Sequence, residues 1–312
     1  MCSSDLDSVL MKYLIDAAKS GKEVTVVVEL LARFDEEANL TWASKLEEVG
    51  AHVVYGVVGY KTHAKMLLVV RREHGRLKRY AHLSTGNYHP RTAKLYTDFG
   101  LFTCNDMLCE DVNDAFKQLT GLGRARNLHQ LWLAPFTLHD GLTAAIRRET
   151  RHARQGRPAH IIAKMNSLVE RGLIEALYSA SRAGVKIDLI VRGMCTLRPG
   201  VPGLSDNIRV ISIIGRFLEH SRIFYFANDG RDDVMISSAD WMERNMFGRI
   251  ESCLAIRDAK LKARVIKEGL KTYLYDQTAW VMQADGTYRR KPARAGATSA
   301  QEKLLAALAP SK

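Results

Sequence analysis

The stretch Lys61-Thr62-His63-Ala64-Lys65-Met66-Leu67-Leu68-Val69-Val70 decides how the chain is read. Its apolar second half reads as a buried strand with a histidine and a lysine where it begins. Side chains alternate along a strand, so His63 and Lys65 share one face while Ala64 and Met66 share the other. An imidazole beside a fixed cation suits phosphate chemistry, although a single His-x-Lys is equally a core histidine next to a solvated lysine. A second copy overturns that plainer reading: Leu218-Glu219-His220-Ser221-Arg222, followed by Ile223-Phe224-Tyr225-Phe226.

Around both histidines the same α/β rhythm recurs. A helix capped by Ser3, Ser4 or Asp5 runs to about Ser20, with Leu10, Tyr13, Leu14 and Ala17 on one face. Gly21 ends it, and a β-branched strand follows from Val24 to Leu30. After Arg33-Phe34-Asp35-Glu36-Glu37 comes a helix to about Val49, then Gly50 and a strand from Ala51 to Val57. Downstream, a helix from Leu168 to Ala183, Gly184 and a strand from Val185 to Val191 repeat the plan. Leu83-Ser84-Thr85-Gly86-Asn87 matches Ile236-Ser237-Ser238-Ala239-Asp240, and eleven residues beyond each lies an acid, Asp98 and Glu251. Gly21 and Gly184, His63 and His220, Asn87 and Asp240 are 163, 157 and 153 residues apart, a regularity that chance explains poorly. The expected fold is therefore α/β, two copies of one unit, each a mixed sheet flanked by helices, related by a pseudo-two-fold. The boundaries expected are 1–130 for the first unit, 131–285 for the second and 286–312 for a mobile basic tail with a short helix from Ala300 to Leu308. Between the units lie the basic linker Gly121 to Arg126, Leu131-Trp132-Leu133-Ala134-Pro135 and a basic helix from about Thr143 to Arg154.

The 312 residues, 46% of them hydrophobic, suffice for two cores. A net charge of +12 favours a polyanionic partner, whether nucleic acid, polyphosphate, nucleotide or an anionic membrane, and does not choose among them. Cys2, Cys104, Cys109, Cys195 and Cys253 are odd in number and scattered, which suits reduced thiols in the cytosol and neither a disulfide framework nor a zinc site. The apolar runs, such as Val24 to Val28, are too short to span a bilayer.

Two histidines from homologous halves can face each other over one cavity. One can then attack phosphorus and form a phosphohistidine, dividing a difficult displacement into two in-line steps. The other can donate a proton or bind phosphate. Lys65 and Arg222 would neutralise non-bridging oxygens, and Arg222 and Arg192 would grip an extended phosphate chain. Asn87 and Asp240 are placed either to orient the imidazoles or to cap turns.

These residues resemble a known family, the two C-terminal catalytic domains of bacterial polyphosphate kinase, which are phospholipase-D-like in fold. The resemblance runs from the first ten residues to about residue 275. It rests on Val24 to Leu30 with Ala32 to Asn39, Lys61 to Lys65, Tyr80 to Asn87, Leu95 to Asp98, Val191 to Cys195, Leu204 to Arg209 and Ser237 to Met242. It implies reversible transfer of the terminal phosphate of ATP to inorganic polyphosphate, with His63 as the phosphorylated nucleophile and His220 beside the nucleotide phosphates. By the same resemblance Tyr96, Arg192 and Asp98 line the ATP site, Arg33 stands at a position associated with Mg2+ and reaches it through phosphate, and His82 is either structural or supports a residue of the site from behind. The partners implied are polyphosphate and ATP or ADP, not nucleic acid. The resemblance further implies a homo-oligomer in the cytoplasm, with peripheral contact to the inner membrane left open. The family has a helical N-terminal domain and a head domain upstream, and an arginine just ahead of the position of Met1. The chain is thus expected to be a piece of a longer protein, with its core chemistry present and its nucleotide site incomplete. Two other classes remain as alternatives. A phospholipase-D-type phosphodiesterase or nuclease normally has an aspartate five residues after the lysine, where this chain has Val70 and Ala227. A non-catalytic polyanion-binding fragment is the other.

Overall fold

The computed structural model describes residues 9–29, 36–121, 128–292 and 296–309. The first half runs α1 (Val9–Lys19), β1 (Thr25–Val28), α2 (Glu36–Glu48), β2 (His52–Tyr55), β3 (Lys61–Thr62), β4 (Lys65–Glu73), β5 (Arg76–Ser84), α3 (Pro90–Leu95), β6 (Tyr96–Thr97), β7 (Gly100–Thr103) and α4 (Asp106–Leu119). The second half begins β8 (Leu131–Ala134), α5 (Leu138–Arg154), β9 (His160–Met165), α6 (Arg171–Arg182), β10 (Lys186–Val191), β11 (Ile208–Ser212), β12 (Leu218–Glu219) and β13 (Arg222–Phe226). It ends β14 (Asp233–Ser237), α7 (Glu243–Phe247), β15 (Arg249–Ala255), α8 (Ala259–Arg264), α9 (Thr272–Leu274), β16 (Trp280–Met282), β17 (Tyr288–Arg290) and α10 (Ala300–Leu308), with a π-helical turn, Val265–Lys271, joining α8 to α9.

The mixed α/β architecture and its repetition are as expected. Gly21 and Gly184 both adopt positive φ, 76° and 92°, at the ends of α1 and α6, where a residue without Cβ lets the chain leave the helix for β1 or β10. In both halves a parallel pair, β1–β2 or β10–β11, accompanies an antiparallel set, β4–β5–β7 or β13–β14–β15. The second half joins these through β9, which pairs β10 on one side and β13 on the other. Among the described residues no strand pairs β1–β2 to β4–β5–β7, so the first sheet is in two pieces.

The halves share a core. One face of the large sheet packs on α5 and α6 through Leu142, Ile146, Leu173, Leu177 and Phe224. Its other face, with Ile162, Ile190, Ile223 and Ile236, meets Ala81, Leu83, Leu108 and Val112 of the first half. Burial of this seam holds the two halves in register, and that register positions the site.

Several expectations are corrected. The strand read from Lys61 onward breaks at His63 and Ala64, because Lys61 and Thr62 pair with β15 while the chain from Lys65 turns to pair with β5. Nor is its end buried: Val69 and Val70 are 43% and 47% exposed where the β4–β5 hairpin runs into solvent. Helix α6 starts at Arg171, since the Glu170 carboxylate accepts from the Gly172 and Leu173 amides and caps it. The tail expected to be mobile is partly built in, with β17 paired to β16 and Ala300 and Gln301 of α10 buried. Residues 1–8, the Arg33 position and most of the linker lie outside the described residues. Among the described residues no helix is long and apolar enough to cross a membrane.

Candidate active site

Two short parallel ladders stitch the halves together and carry the site. In the first, Lys61 and Thr62 pair with Arg249 and Ile250, and the next residues on each side are His63 and Glu251. In the second, Tyr96 and Thr97 pair with Leu218 and Glu219, and the next residues are Asp98 and His220. Each histidine thus meets the acid of the opposite half. His63 Nδ1 donates to Glu251 at 2.8 Å, and His220 Nδ1 donates to Asp98 at 2.9 Å, the tautomer that ionised carboxylates impose. Thr85 donates to Asp98 at 2.6 Å and Ser238 to Glu251 at 2.5 Å. Those hydroxyls in turn accept from the amides of Phe99 and Ser252, each at 3.0 Å. Two relays result, Thr85–Asp98–His220 and Ser238–Glu251–His63. Gly86 makes the first possible, since a Cβ there would strike the Asp98 carboxylate.

The surroundings of the rings differ. Burial pushes the His63 imidazole down to about 4; Glu251 opposes this and Lys65 and Arg222 assist it, so the ring is neutral at pH 7. For Glu251, burial alone would raise the carboxyl, but His63, Lys65 and the Ser238 hydroxyl outweigh it and hold it below the ordinary carboxylate range. Among the described residues His63 Nε2 has no hydrogen-bond partner. His220 Nε2, in contrast, lies 3.2 Å from Nη1 of Arg222, and its ring is also held neutral, chiefly by burial. The Tyr96 ring leans on that imidazole, centroids 5.1 Å apart.

Arg222 departs from expectation. Its guanidinium is buried, donates to Asp240 at 3.2 and 3.1 Å and to the His220 carbonyl at 2.7 Å, and so clamps His220 from within. Arg192 is the open one: its Nε donates to Asn166 at 2.8 Å and to the Glu219 carbonyl, and among the described residues its terminal amino groups bond nothing. Lys65 is buried and donates to the His63 carbonyl, the first-half counterpart of the Arg222 contact. Asn87 and Asp240 do not orient the imidazoles. Asp240 binds Arg222 and the Asn166 amide, and Asn87 Oδ1 is buried without a partner among the described residues. Asp98, expected against nucleotide, faces His220 with both oxygens. His82 donates to or accepts from Tyr88 at 2.8 Å and stacks near Phe102, centroids 4.3 Å apart, a structural place on β5.

The described residues do not fit a protein-held Mg2+. They contain no group of three His, Cys, Asp or Glu side chains able to hold a metal, and the acids of the site are engaged by histidine or arginine.

Fold and site together define a duplicated α/β protein with a paired-histidine centre between its halves. Its first half, residues 3–125, matches the family model described as polyphosphate kinase C-terminal domain 1, and residues 131–301 match polyphosphate kinase C-terminal domain 2. The polyphosphate kinases of Burkholderia ambifaria (strain MC40-6) and Paraburkholderia phytofirmans are each 62% identical to it, over 305 and 304 residues, 96% of this chain and 44% of theirs. The crystal structure of polyphosphate kinase from Porphyromonas gingivalis matches with a TM-score of 0.90 at 36% identity, over 99% of this chain and 47% of that one. The chain belongs to the polyphosphate kinase family, and it spans under half the length of these relatives.

Proposed function

We propose that this chain carries the catalytic centre for reversible transfer of the terminal phosphoryl group between ATP and inorganic polyphosphate, with His63 as the group carried through. The observation that supports it most is the neutral His63 ring, with Nδ1–H on Glu251 and Nε2 unpartnered among the described residues. The Nε2 lone pair attacks the terminal phosphorus in line; an N–P bond forms, the P–O bond to ADP breaks, and ADP leaves with that electron pair. Glu251 meets the positive charge the ring acquires. In the second step a terminal polyphosphate oxygen attacks the same phosphorus, the N–P bond breaks, and the pair returns to Nε2.

Lys65 and the open end of Arg192 neutralise the phosphate oxygens, and Tyr96 lines the nucleotide side. His220 borders the phosphates. Its Nε2 faces Arg222, so it donates a proton only after an incoming phosphate has raised its affinity for one. Mg2+ enters in this reading with the nucleotide's phosphates. The two catalytic units divide near residue 130, in line with the ends of the two family matches, and the protein works in the cytoplasm as a homo-oligomer. Incubating the chain and a full-length relative with ADP and polyphosphate tests the reaction. ATP should form and should vanish in His63→Ala; hydrolysis of a phosphodiester with no ATP formed would replace this reading with that of a phosphodiesterase.

A further inference from the structure

Glu219, the residue before His220, is buried at 4% exposure and gathers more partners than its place on a two-residue strand requires. Its Oε2 accepts from Lys164 Nζ at 2.6 Å and from Thr97 Oγ1 at 2.8 Å, and its Oε1 accepts from Gln301 Nε2 at 2.6 Å. Its carbonyl accepts from Arg192. Lys164 is 1% exposed and lies 3.6 Å from the centroid of the Tyr273 ring, so a charged pair is sealed directly beneath the His220 wall.

Gln301 belongs to α10, near the end of the chain, yet is 4% exposed. Besides Glu219 it takes both backbone groups of Phe217: the Phe217 amide donates to its Oε1 at 2.9 Å, and its Nε2 donates to the Phe217 carbonyl at 2.9 Å. Gly215 gives it room, since a Cβ there would press on the Gln301 amide at 2.5 Å. The segment from Phe217 to His220 is thus gripped by β6 on one side and by α10 on the other.

Burying a lysine–glutamate pair is costly, and a well-packed apolar pair would hold the fold as well or better. In the first half the position matching Glu219, 157 residues earlier, is the uncharged Thr62. Charge here therefore serves something particular to the His220 half. That residue fixes the backbone from which both the His220 ring and the Arg192 Nε contact depend.

We propose that Glu219, held by Lys164 and by Gln301 of the C-terminal helix, is a positioning residue that keeps His220 on Asp98, so that α10 is part of the catalytic apparatus. This rests on the phosphotransfer reading for its purpose, but its geometry is testable without substrate. The chain labelled with 15N-histidine is read by long-range 1H–15N spectra, with the His220 ring signals identified by their loss in His220→Gln. Two variants release the grip: Gln301→Leu removes the amide, and Gln301→Asn, milder to the fold, falls short of Glu219. In either, the His220 ring should leave the pure Nδ1–H tautomer for a mixture, while His63 on Glu251 is unchanged. Ser299→Ala, which removes the cap of α10 but leaves Gln301 in place, should leave both rings as in the parent. An unaltered His220 tautomer in a folded Gln301→Asn protein overturns the proposal, even if ATP synthesis is found. Conversely, failure of ATP synthesis with the tautomer shift observed would count against the phosphotransfer reading alone.

Discussion

Where the first half has Glu29, Thr62, Lys65 and Asn87, the second half has Arg192, Glu219, Arg222 and Asp240 at the matching places. The hydroxyl–acid–histidine relays repeat the same hydrogen bonds in the two halves, but the charges around them are redistributed. Asp240 offsets Arg222, and Arg222 lies against His220 Nε2, whereas His63 has its Nε2 unpartnered among the described residues. Glu29 accepts from the Thr62 amide at 2.6 Å, while Arg192, its counterpart, has its amino groups open among the described residues. Duplication supplied a symmetric cradle, and substitution of charge made it directional. In the proposed reaction one ring attacks, and the other forms part of the wall.

That contrast can be broken most forcefully at the crossed acids. Glu251→Gln keeps the shape but can present an amide N–H to His63 Nδ1, so phosphorylation from ATP should fall by about 10²–10³, whereas Asp98→Asn should cost it less than about tenfold. Equal losses would erase the distinction between the rings.

The next largest effect concerns pH. With the folded His63 near 4 and the ordinary value near 6.5, the unfolded chain takes up a proton between those limits that the folded one refuses. Stability from this group is therefore present above pH 6.5 and lost as pH falls towards 4, by about 2 kcal/mol at pH 5. Urea unfolding at pH 7 and 5 should register that drop, reduced in His63→Gln. The same value predicts a phosphorylation rate flat from pH 8 to 6; a rate that fell with the ordinary histidine midpoint would argue for an exposed ring.

Gly86→Ala crowds Asp98, whereas its counterpart in the second half is already Ala239, fully buried. Turnover should fall by about tenfold, with labelling of His63 less affected. Smallest are the hydroxyls: Ser238→Ala and Thr85→Ala each remove one hydrogen bond to an acid and one from a backbone amide, about 1 kcal/mol per bond, the former felt in labelling and the latter in turnover.

Much of this was legible in the sequence. Periodicity and helix-ending glycines gave the α/β units, and the spacing of eleven residues singled out Asp98 and Glu251 before their task was evident. Their task was hidden because it depends on two-rung ladders between halves, and such short pairings leave no local pattern. The same ladder breaks the strand at His63, which a run of apolar residues alone suggests is continuous. Lys164 on a buried strand and Gln301 on a terminal helix have no signature of their own; only packing reveals that both reach Glu219. Thr85 and Ser238 have one, the small-residue runs preceding Asn87 and Asp240, in which a hydroxyl two residues before the polar end is as visible as that end.

The most direct test of His63 as the carrier is covalent labelling from ATP bearing a radioactive terminal phosphate, in the parent protein and in His63→Gln and His220→Gln. An acid-labile, base-stable label mapping to the peptide of His63, abolished in the first variant and retained in the second, is the result predicted. Undiminished labelling of His63→Gln, or a label on His220, would contradict it.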